Sequence, residues 1–497
     1  MSEHFDVLVV GAGLSGVGAG YWLQKHCPQK SYAILEGRAR MGGTWDLFRY
    51  PGIRSDSDMF TLGYSFKPWT DPKAIADGPS ILRYINDTAR EYGIDQRIRY
   101  GQRVASASFS SADARWTVQV DKGAERVVYT CDFLYMCSGY YRYESGYTPD
   151  FAGMGDFRGA LVHPQAWPEN LDYSGKRVIV IGSGATAMTL VPEMAKKAAH
   201  VTMVQRSPTY VVARPSRDAV ADFLRAKLPA KLAYSLVRWK NVGFGMYFYN
   251  LCKRNPQKVK DYLLGLVRQQ LPAGYDVGRD FTPRYNPWDQ RLCLITDGDL
   301  FTAIKEGRAS IATDTIDRFT ENGLKLTGGQ EIEADVVVVA TGLFLQQFGG
   351  AQLTVDGRKV ELSKTLNYKG MMFSDVPNLA ATFGYTNASW TLKADLIGEY
   401  VCRILNTMDA KGKKIAVAHN DDPNLPVENF VDFSSGYFQR AVDTLPKQGA
   451  KKPWRLHQNY AKDMLALRFG AIEDGVLRFA DPSPQSTRAP DTEKAAA

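Results

Sequence analysis

Two stretches of the chain repeat one pattern of apolar and polar positions. In the first, Val7–Val10 is an unbroken apolar run, as in a parallel strand covered on both faces. The turn Gly11-Ala12-Gly13-Leu14-Ser15-Gly16 follows at once, then a helical segment from Val17 to His26, then a strand from Ser31 to Leu35 that ends on Glu36. In the second, Arg177–Ile181 is the strand and Gly182-Ser183-Gly184-Ala185-Thr186-Ala187 the turn; a helix runs through Met194, and Val201–Gln205 is the next strand. Each unit is followed later by an apolar strand ending in small residues, Asp132 to Gly139 (ending Cys137-Ser138-Gly139) and Asp335 to Gly342 (ending Ala340-Thr341-Gly342). The repetition predicts an α/β protein built on two Rossmann-like dinucleotide-binding domains.

Other periodicities fill in the rest. Pro79 to Tyr92 reads as a helix, Val104 to Val128 as strands with turns at Asp113-Ala114 and Lys122-Gly123, and Ile311 to Ile332 as paired strands. Asp218–Leu228, Leu232–Cys252 and Lys258–Leu271 have helical spacing and predict a helical insertion. A last helix follows Gly384–Trp390, capped by Asn387 or Ser389, and runs to about Leu405. The expected division gives 1–148 and 343–480 to the first domain and 149–216 and 285–342 to the second, with 217–284 as the insertion and 481–497 as a disordered tail.

The turns carry the chemistry. Gly11 permits the tight turn, Gly13 lets backbone approach a pyrophosphate, Gly16 lets helix pack on strand, and Glu36 can accept from ribose hydroxyls. The second unit ends on Arg206-Ser207 instead of an acid. An acid there repels a 2′-phosphate, whereas Arg and Ser can bind one, which favours NADPH over NADH. The segment Gly42-Gly43-Thr44-Trp45 with Arg49–Asp56 is dense in Gly, Pro, Arg and aromatic residues and reads as an ordered loop lining a ligand.

Composition narrows the class. A length of 497 residues calls for two or three domains, and 44% hydrophobic with 23% charged residues is ordinary for a globular protein. The net charge of +8 comes without a nucleic-acid motif, so a solvated surface and bound anionic dinucleotides account for it. Lys227, Lys231, Arg238, Lys240, Lys253, Arg254, Lys258 and Lys260 make the insertion basic; a solvated helical face is favoured over a weak peripheral membrane patch. The six cysteines are scattered, Cys131 and Cys137 included, and form neither a disulfide framework nor the redox pair a flavin disulfide reductase requires. No metal-ligand spacing is present. Neither a signal peptide nor an apolar run of transmembrane length appears, and a cytoplasmic location is the expectation.

Phe157, Gly159, His163, Trp167 and Pro168, just before the second glycine turn, fit F-x-G-x-x-x-H-x-x-x-W-P. This resembles the signature of the Baeyer–Villiger flavin monooxygenases. Met41–Met59, Tyr285–Phe301 and Tyr385–Asp395 are similar to the ethionamide-activating branch of that family. The resemblance implies FAD in the first domain and NADPH in the second. Reduced flavin would take up O2 as a C4a-peroxyflavin, which would convert a small-molecule ketone to an ester or lactone and also oxidise a sulfide or thioamide. It further implies that Arg291 is the active-site arginine, that Asp56 orients it, that Thr44 and Trp45 line the flavin, and that Arg206 contacts the 2′-phosphate. Gly43, Asp56, Val104, Ser183, Gly184, Ala185, Thr186, Ser207, Thr341 and Asn387 complete the expected cofactor contacts, and the signature around His163 is expected to act as a hinge. Gln290 stands where much of the family has a basic residue, so NADPH preference rests largely on Arg206. Two other readings remain open: a flavin-containing monooxygenase acting mainly on sulfur or nitrogen, and a non-oxygenating FAD/NADPH-binding redox protein.

Overall fold

The first sheet is built around the strand Glu3–Val10 (β1), whose last four residues are buried on both faces. The computed structural model describes residues 2–482, so nearly all of the expected tail lies outside the described residues. Helix α1 (Leu14–His26) follows β1, then β2 (Tyr32–Leu35), helix α2 (Gly78–Glu91), β3 (Ile98–Arg99), β4 (Arg103–Ser110), β5 (Arg115–Lys122) and β6 (Glu125–Met136). The order β4-β5-β6-β1-β2-β3 joins a parallel half, β6-β1-β2-β3, to an antiparallel half. Helix α1 begins at Leu14 rather than Val17 because Gly13 already stands at its N-cap. The sequence pattern breaks residues 125–139 into a hairpin strand and a separate buried strand, but β6 is one continuous strand. Its first half alternates along an antiparallel neighbour, and Phe133–Met136 enter the parallel centre, where both faces are covered.

The second sheet repeats the parallel half. It comprises β7 (Ala160–Val162), β8 (Arg177–Ile181), β9 (His200–Gln205), β10 (Ala309–Thr313) and β11 (Val336–Val339), with helix α3 (Ala185–Met194) after β8. The order is β10-β9-β8-β11-β7, all parallel. Taking β8 for β1, β9 for β2, β10 for β3 and β11 for β6, the two sheets have the same order. The duplication reaches individual contacts. Gly11 has φ +102°, and a Cβ there would lie 2.6 Å from the Cys137 carbonyl oxygen; Gly182 has φ +129°, and a Cβ there would lie 2.4 Å from that of Ala340. In both lobes the turn after the first strand presses on the strand that ends in Ser/Thr-Gly, which leaves no space for a side chain.

The insertion forms α4 (Ala219–Lys227), α5 (Ala230–Arg254) and α6 (Pro256–Gln269). Its basic residues do not all lie on a solvated face. Arg238 is buried: its guanidinium donates to the carbonyls of Phe60 (2.8 Å) and Gly63 (2.7 Å) and lies 3.5 Å from the buried Asp395. A charge taken out of water needs such partners, and here they anchor the insertion to the first lobe.

The chain then returns to the first sheet. Strand β12 (Leu379–Ala381) pairs with β6, and α7 (Trp390–Lys411) packs along α1. Helix α7 runs past the expected end at Leu405 to Gly412, whose φ of +63° closes it. Of the two expected caps, Ser389 takes the N-cap position without a side-chain bond to the helix, and Asn387 lies outside it. Ser389 stands at the N-cap with its hydroxyl 2.6 Å from that of Thr61, and the Asn387 amide donates to the Gln458 carbonyl at 2.9 Å. Among the described residues no helix is long and apolar enough to cross a membrane.

Candidate functional site

The C-terminal ends of β1, β2 and β6 open onto a cavity of about 650 Å³ that both lobes line. On the first-lobe side the glycine turn supplies the floor. A Cβ on Gly16 would lie 1.8 Å from the Gly11 carbonyl oxygen, and one on Gly43 (φ +56°) would lie 3.1 Å from the Gly13 Cα. Gly16 packs the helix on the turn and does not border the cavity, whereas Gly11, Gly13 and Gly43 do, and their bare backbones make a cradle that side chains would fill. Glu36 faces it from the end of β2. Its carboxylate accepts from the Ala12 N–H (2.8 Å) and the Arg38 N–H (2.9 Å), and burial pushes its pKa up despite these bonds. Thr44, Trp45 and Val104 line the same space. Cradle, helix N-terminus and ribose-facing acid fit the ADP half of FAD.

Asp46, not singled out from the sequence, organises the loop behind the cradle. It is buried and holds Arg38 (2.9 Å), Arg40 (3.4 Å) and Arg49 (3.0 Å). Beyond it the loop crosses to the other lobe: Phe48, Tyr50 and Ile53 pack in the core of the second sheet with α3. Arg54 is paired with Asp299 at 2.5 Å, while its Nε and Nη2 have no partner although the side chain borders the cavity.

Asp56 ends this loop 2.7 Å from the Arg291 Nε, and both residues line the cavity. Arg291 comes from the loop before the strand Cys293–Thr296 in the second lobe, so the pair is assembled from both halves of the chain. Burial works against the guanidinium charge, but the Asp56 carboxylate beside it outweighs it and holds the pKa above its ordinary value. Tyr140 and Tyr141 follow the Ser138-Gly139 turn, with their hydroxyls 3.1 Å apart, and Tyr140 stacks on Trp390. Burial pushes the pKa of each of these phenols up, so they stay protonated and can donate. Sequence reasoning missed the tyrosines; their position directly after the small-residue turn was the available signal.

The signature stretch is not a free linker. Residues 160–162 are β7, the edge strand beside β11. Phe157 packs on Phe319, and a Cβ on Gly159 would lie 2.5 Å from the Asp335 carbonyl oxygen. Trp167 packs against the second-sheet core, and Pro168 is exposed. His163 turns toward the first lobe: its ring fills the space beside Gly146, where a Cβ would lie 1.8 Å from Cε1. Its Nδ1 accepts from the Gln165 N–H at 3.2 Å, which leaves the proton on Nε2, and burial lowers its pKa. Gln165 reaches the same segment, its amide donating to the carbonyls of Arg142 (2.8 Å) and Tyr143 (3.0 Å). The second lobe thus grips the segment that carries Tyr140, Tyr141 and Tyr143 into the cavity.

Not every expected contact lies in this space. Ala185 and Thr186 line the cavity, but Gly182, Ser183 and Gly184 do not, and Arg206 and Ser207 are exposed outside it. The Ser183 hydroxyl donates to the Ser207 carbonyl at 3.0 Å, which ties the second glycine turn to the end of β9. The Thr341 hydroxyl is spent on the Tyr147 carbonyl (2.6 Å) and the Asn387 amide on Gln458, and neither residue borders the cavity. All six cysteines are free and buried.

The family model described as flavin-binding monooxygenase-like matches residues 67–380, and that of an NAD(P)-binding Rossmann-like domain matches residues 9–70. The chain is 55% identical to the FAD-containing monooxygenase EthA of Mycobacterium tuberculosis, covering 97% of this chain and 99% of the relative. It is 53% identical to EthA of Mycolicibacterium smegmatis, with 96% and 98% covered. The fold is shared with an oxidized steroid monooxygenase bound to NADP, at a TM-score of 0.74 and 21% identity, covering 96% of this chain and 100% of that one. On near-full-length sequence similarity, the chain belongs to the flavin-binding monooxygenase-like family.

Proposed function

We propose that the chain is an FAD- and NADPH-dependent Baeyer–Villiger monooxygenase that inserts one atom of O2 beside a ketone carbonyl to give an ester or lactone. Ketone, O2, NADPH and a proton become ester, water and NADP+. The observation that carries this reading is the Arg291–Asp56 pair, 2.7 Å apart in a cavity lined by both lobes. Binding two dinucleotides does not call for a charged arginine in this cavity, whereas a fixed cation there suits the negative charge that builds on oxygen when a carbonyl is attacked.

Bound flavin, once reduced by the nicotinamide, supplies the activated oxygen. The rest falls to the protein. The guanidinium stays charged across the working pH range and stabilises negative charge developing on oxygen as the carbonyl carbon is attacked. Asp56 pairs with the guanidinium at its Nε side and holds it there by charge, leaving its other N–H groups to turn toward substrate. Tyr140 and Tyr141 offer protonated hydroxyls, and the Tyr140–Trp390 stack gives an apolar wall that excludes water. On the second lobe, the N-terminus of α3 is suited to a pyrophosphate and the exposed Arg206 and Ser207 to a 2′-phosphate. The FAD and NADP in the names of the relatives and of the steroid monooxygenase structure support the same pair of cofactors.

The test is a product screen. FAD-loaded protein with NADPH is given linear, cyclic and aromatic ketones beside a sulfide and a thioamide. Ester or lactone from any ketone supports the reading. Sulfoxide or S-oxide alone assigns a heteroatom monooxygenase, and NADPH-dependent flavin bleaching without oxygenated product assigns a redox protein.

A further inference from the structure

Helix α5 is apolar on both sides, although only one side is covered. Ala233, Tyr234, Val237 and Val242 are buried against the first lobe together with Arg238. On the other side Leu232, Leu236, Trp239, Gly243 and Tyr247 recur at i, i+4, i+7, i+11 and i+15, a single stripe along the helix. The four large side chains of that stripe are between 44% and 65% exposed. Scattered single exposures are ordinary, but a continuous stripe of this kind marks a surface that something covers.

The charges say what covers it. The 25 residues of α5 include Lys231, Arg238, Lys240, Lys253 and Arg254 and no Asp or Glu. Arg238 is buried, and Lys240 and Lys253 are paired with Asp218 and Asp289. Lys227, Lys231, Arg254 and Lys258 have no ion-pair partner among the described residues. Arg254 falls on the line of the stripe, about five turns beyond Leu236. Cations flanking an apolar stripe that carries Trp and Tyr are the features of a helix lying in the headgroup region of an anionic bilayer. A second copy fits less well, since a two-fold contact through this stripe would bring the same acid-free helix against itself.

We propose that the outer face of α5 docks the enzyme on an anionic phospholipid surface, without spanning it. The stripe enters the interface, and the unpaired lysines and Arg254 meet the headgroups. The C-terminal end of α5 touches the loop that carries Arg291, with Tyr249 against Trp288 and Lys253 on Asp289. Docking therefore places that loop near the membrane, where apolar substrates concentrate.

The test uses FAD-loaded enzyme with phosphatidylcholine vesicles made with and without phosphatidylglycerol. Expected are co-sedimentation with the anionic vesicles only, weakening with added salt, and quenching of tryptophan fluorescence by brominated lipid. The double variant Leu232→Ser/Leu236→Ser should partition about tenfold less while keeping its flavin and its rate of NADPH oxidation. Trp239→Phe should still bind but lose most of the quenching. Absence of the wild type from the anionic pellet overturns the proposal, as does equal pelleting of the double variant. A concentration-dependent dimer in lipid-free solution that the double variant abolishes also overturns it and assigns the stripe to a second copy.

Discussion

At the scale of single residues, the proposed chemistry turns on Arg291 and Asp56. The pair is made by residues 235 positions apart, so no local pattern shows it; the resemblance supplied the two names and the structure supplied the 2.7 Å between them. Arg291→Ala should still oxidise NADPH and bleach flavin at a rate near wild type, while ester formation falls by about 10²–10³-fold, the usual cost of losing one group that stabilises a developing oxyanion. Product yield per NADPH consumed separates the two effects. Asp46 was illegible for a different reason: one acid among arginines in an irregular loop looks like solvated surface until burial is known. Its arginine partners are partly exposed, so solvent screens the cluster, and Asp46→Ala should cost about 1–3 kcal/mol. The measured effect should be a lower flavin content and a lower melting temperature, with the Arg291 chemistry intact in whatever fraction keeps its flavin.

Among elements, the glycine turns and their strands were legible because their causes are local. Gly11 and Gly182 each lie where a Cβ would strike the backbone of the neighbouring strand, so sequence and geometry constrain each other directly. Strand β6 was harder, since it changes from half-covered to fully covered along its length and its pattern changes with it. The signature stretch could be read as a family mark but not as a strand, because three residues at the edge of a sheet give no periodicity. In the fold it is a grip: Gln165 holds the carbonyls of Arg142 and Tyr143, and the His163 ring fills the space at Gly146. A positioning role follows for His163. His163→Ala should slow flavin reduction by NADPH several-fold, measured in anaerobic stopped flow, while FAD stays bound at wild-type occupancy. Loss of FAD from that variant would place the histidine in the flavin site and contradict the grip.

On the scale of the whole molecule, the duplicated sheets were predictable and their joining was not. Phe48, Tyr50 and Ile53 leave the first lobe to pack in the core of the second, and Arg238 of the insertion is held by Asp395, 157 positions later. Contacts of that kind set the relation between the lobes and leave no trace in a window of sequence. The second nucleotide site shows the same limit. The glycine turn and the end of β9 are tied together by Ser183 and Ser207, yet Arg206 stands exposed and outside the shared cavity. If Arg206 reads the 2′-phosphate, Arg206→Ala should raise KM for NADPH about tenfold or more, as expected for the loss of a charge-assisted phosphate contact, and leave KM for NADH unchanged. With Gln290 offering no second cation, equal catalytic efficiency of the wild type with both coenzymes would remove Arg206 from that role.

Whether the cavity shared by the two lobes delivers oxygen to a carbonyl is tested most directly by isotope incorporation. FAD-loaded enzyme, NADPH and a converted ketone under isotopically heavy O2 should give an ester carrying one heavy oxygen, in step with NADPH oxidised. NADPH consumption that yields only hydrogen peroxide, with the ketone recovered unlabelled and unchanged across the panel, would contradict it.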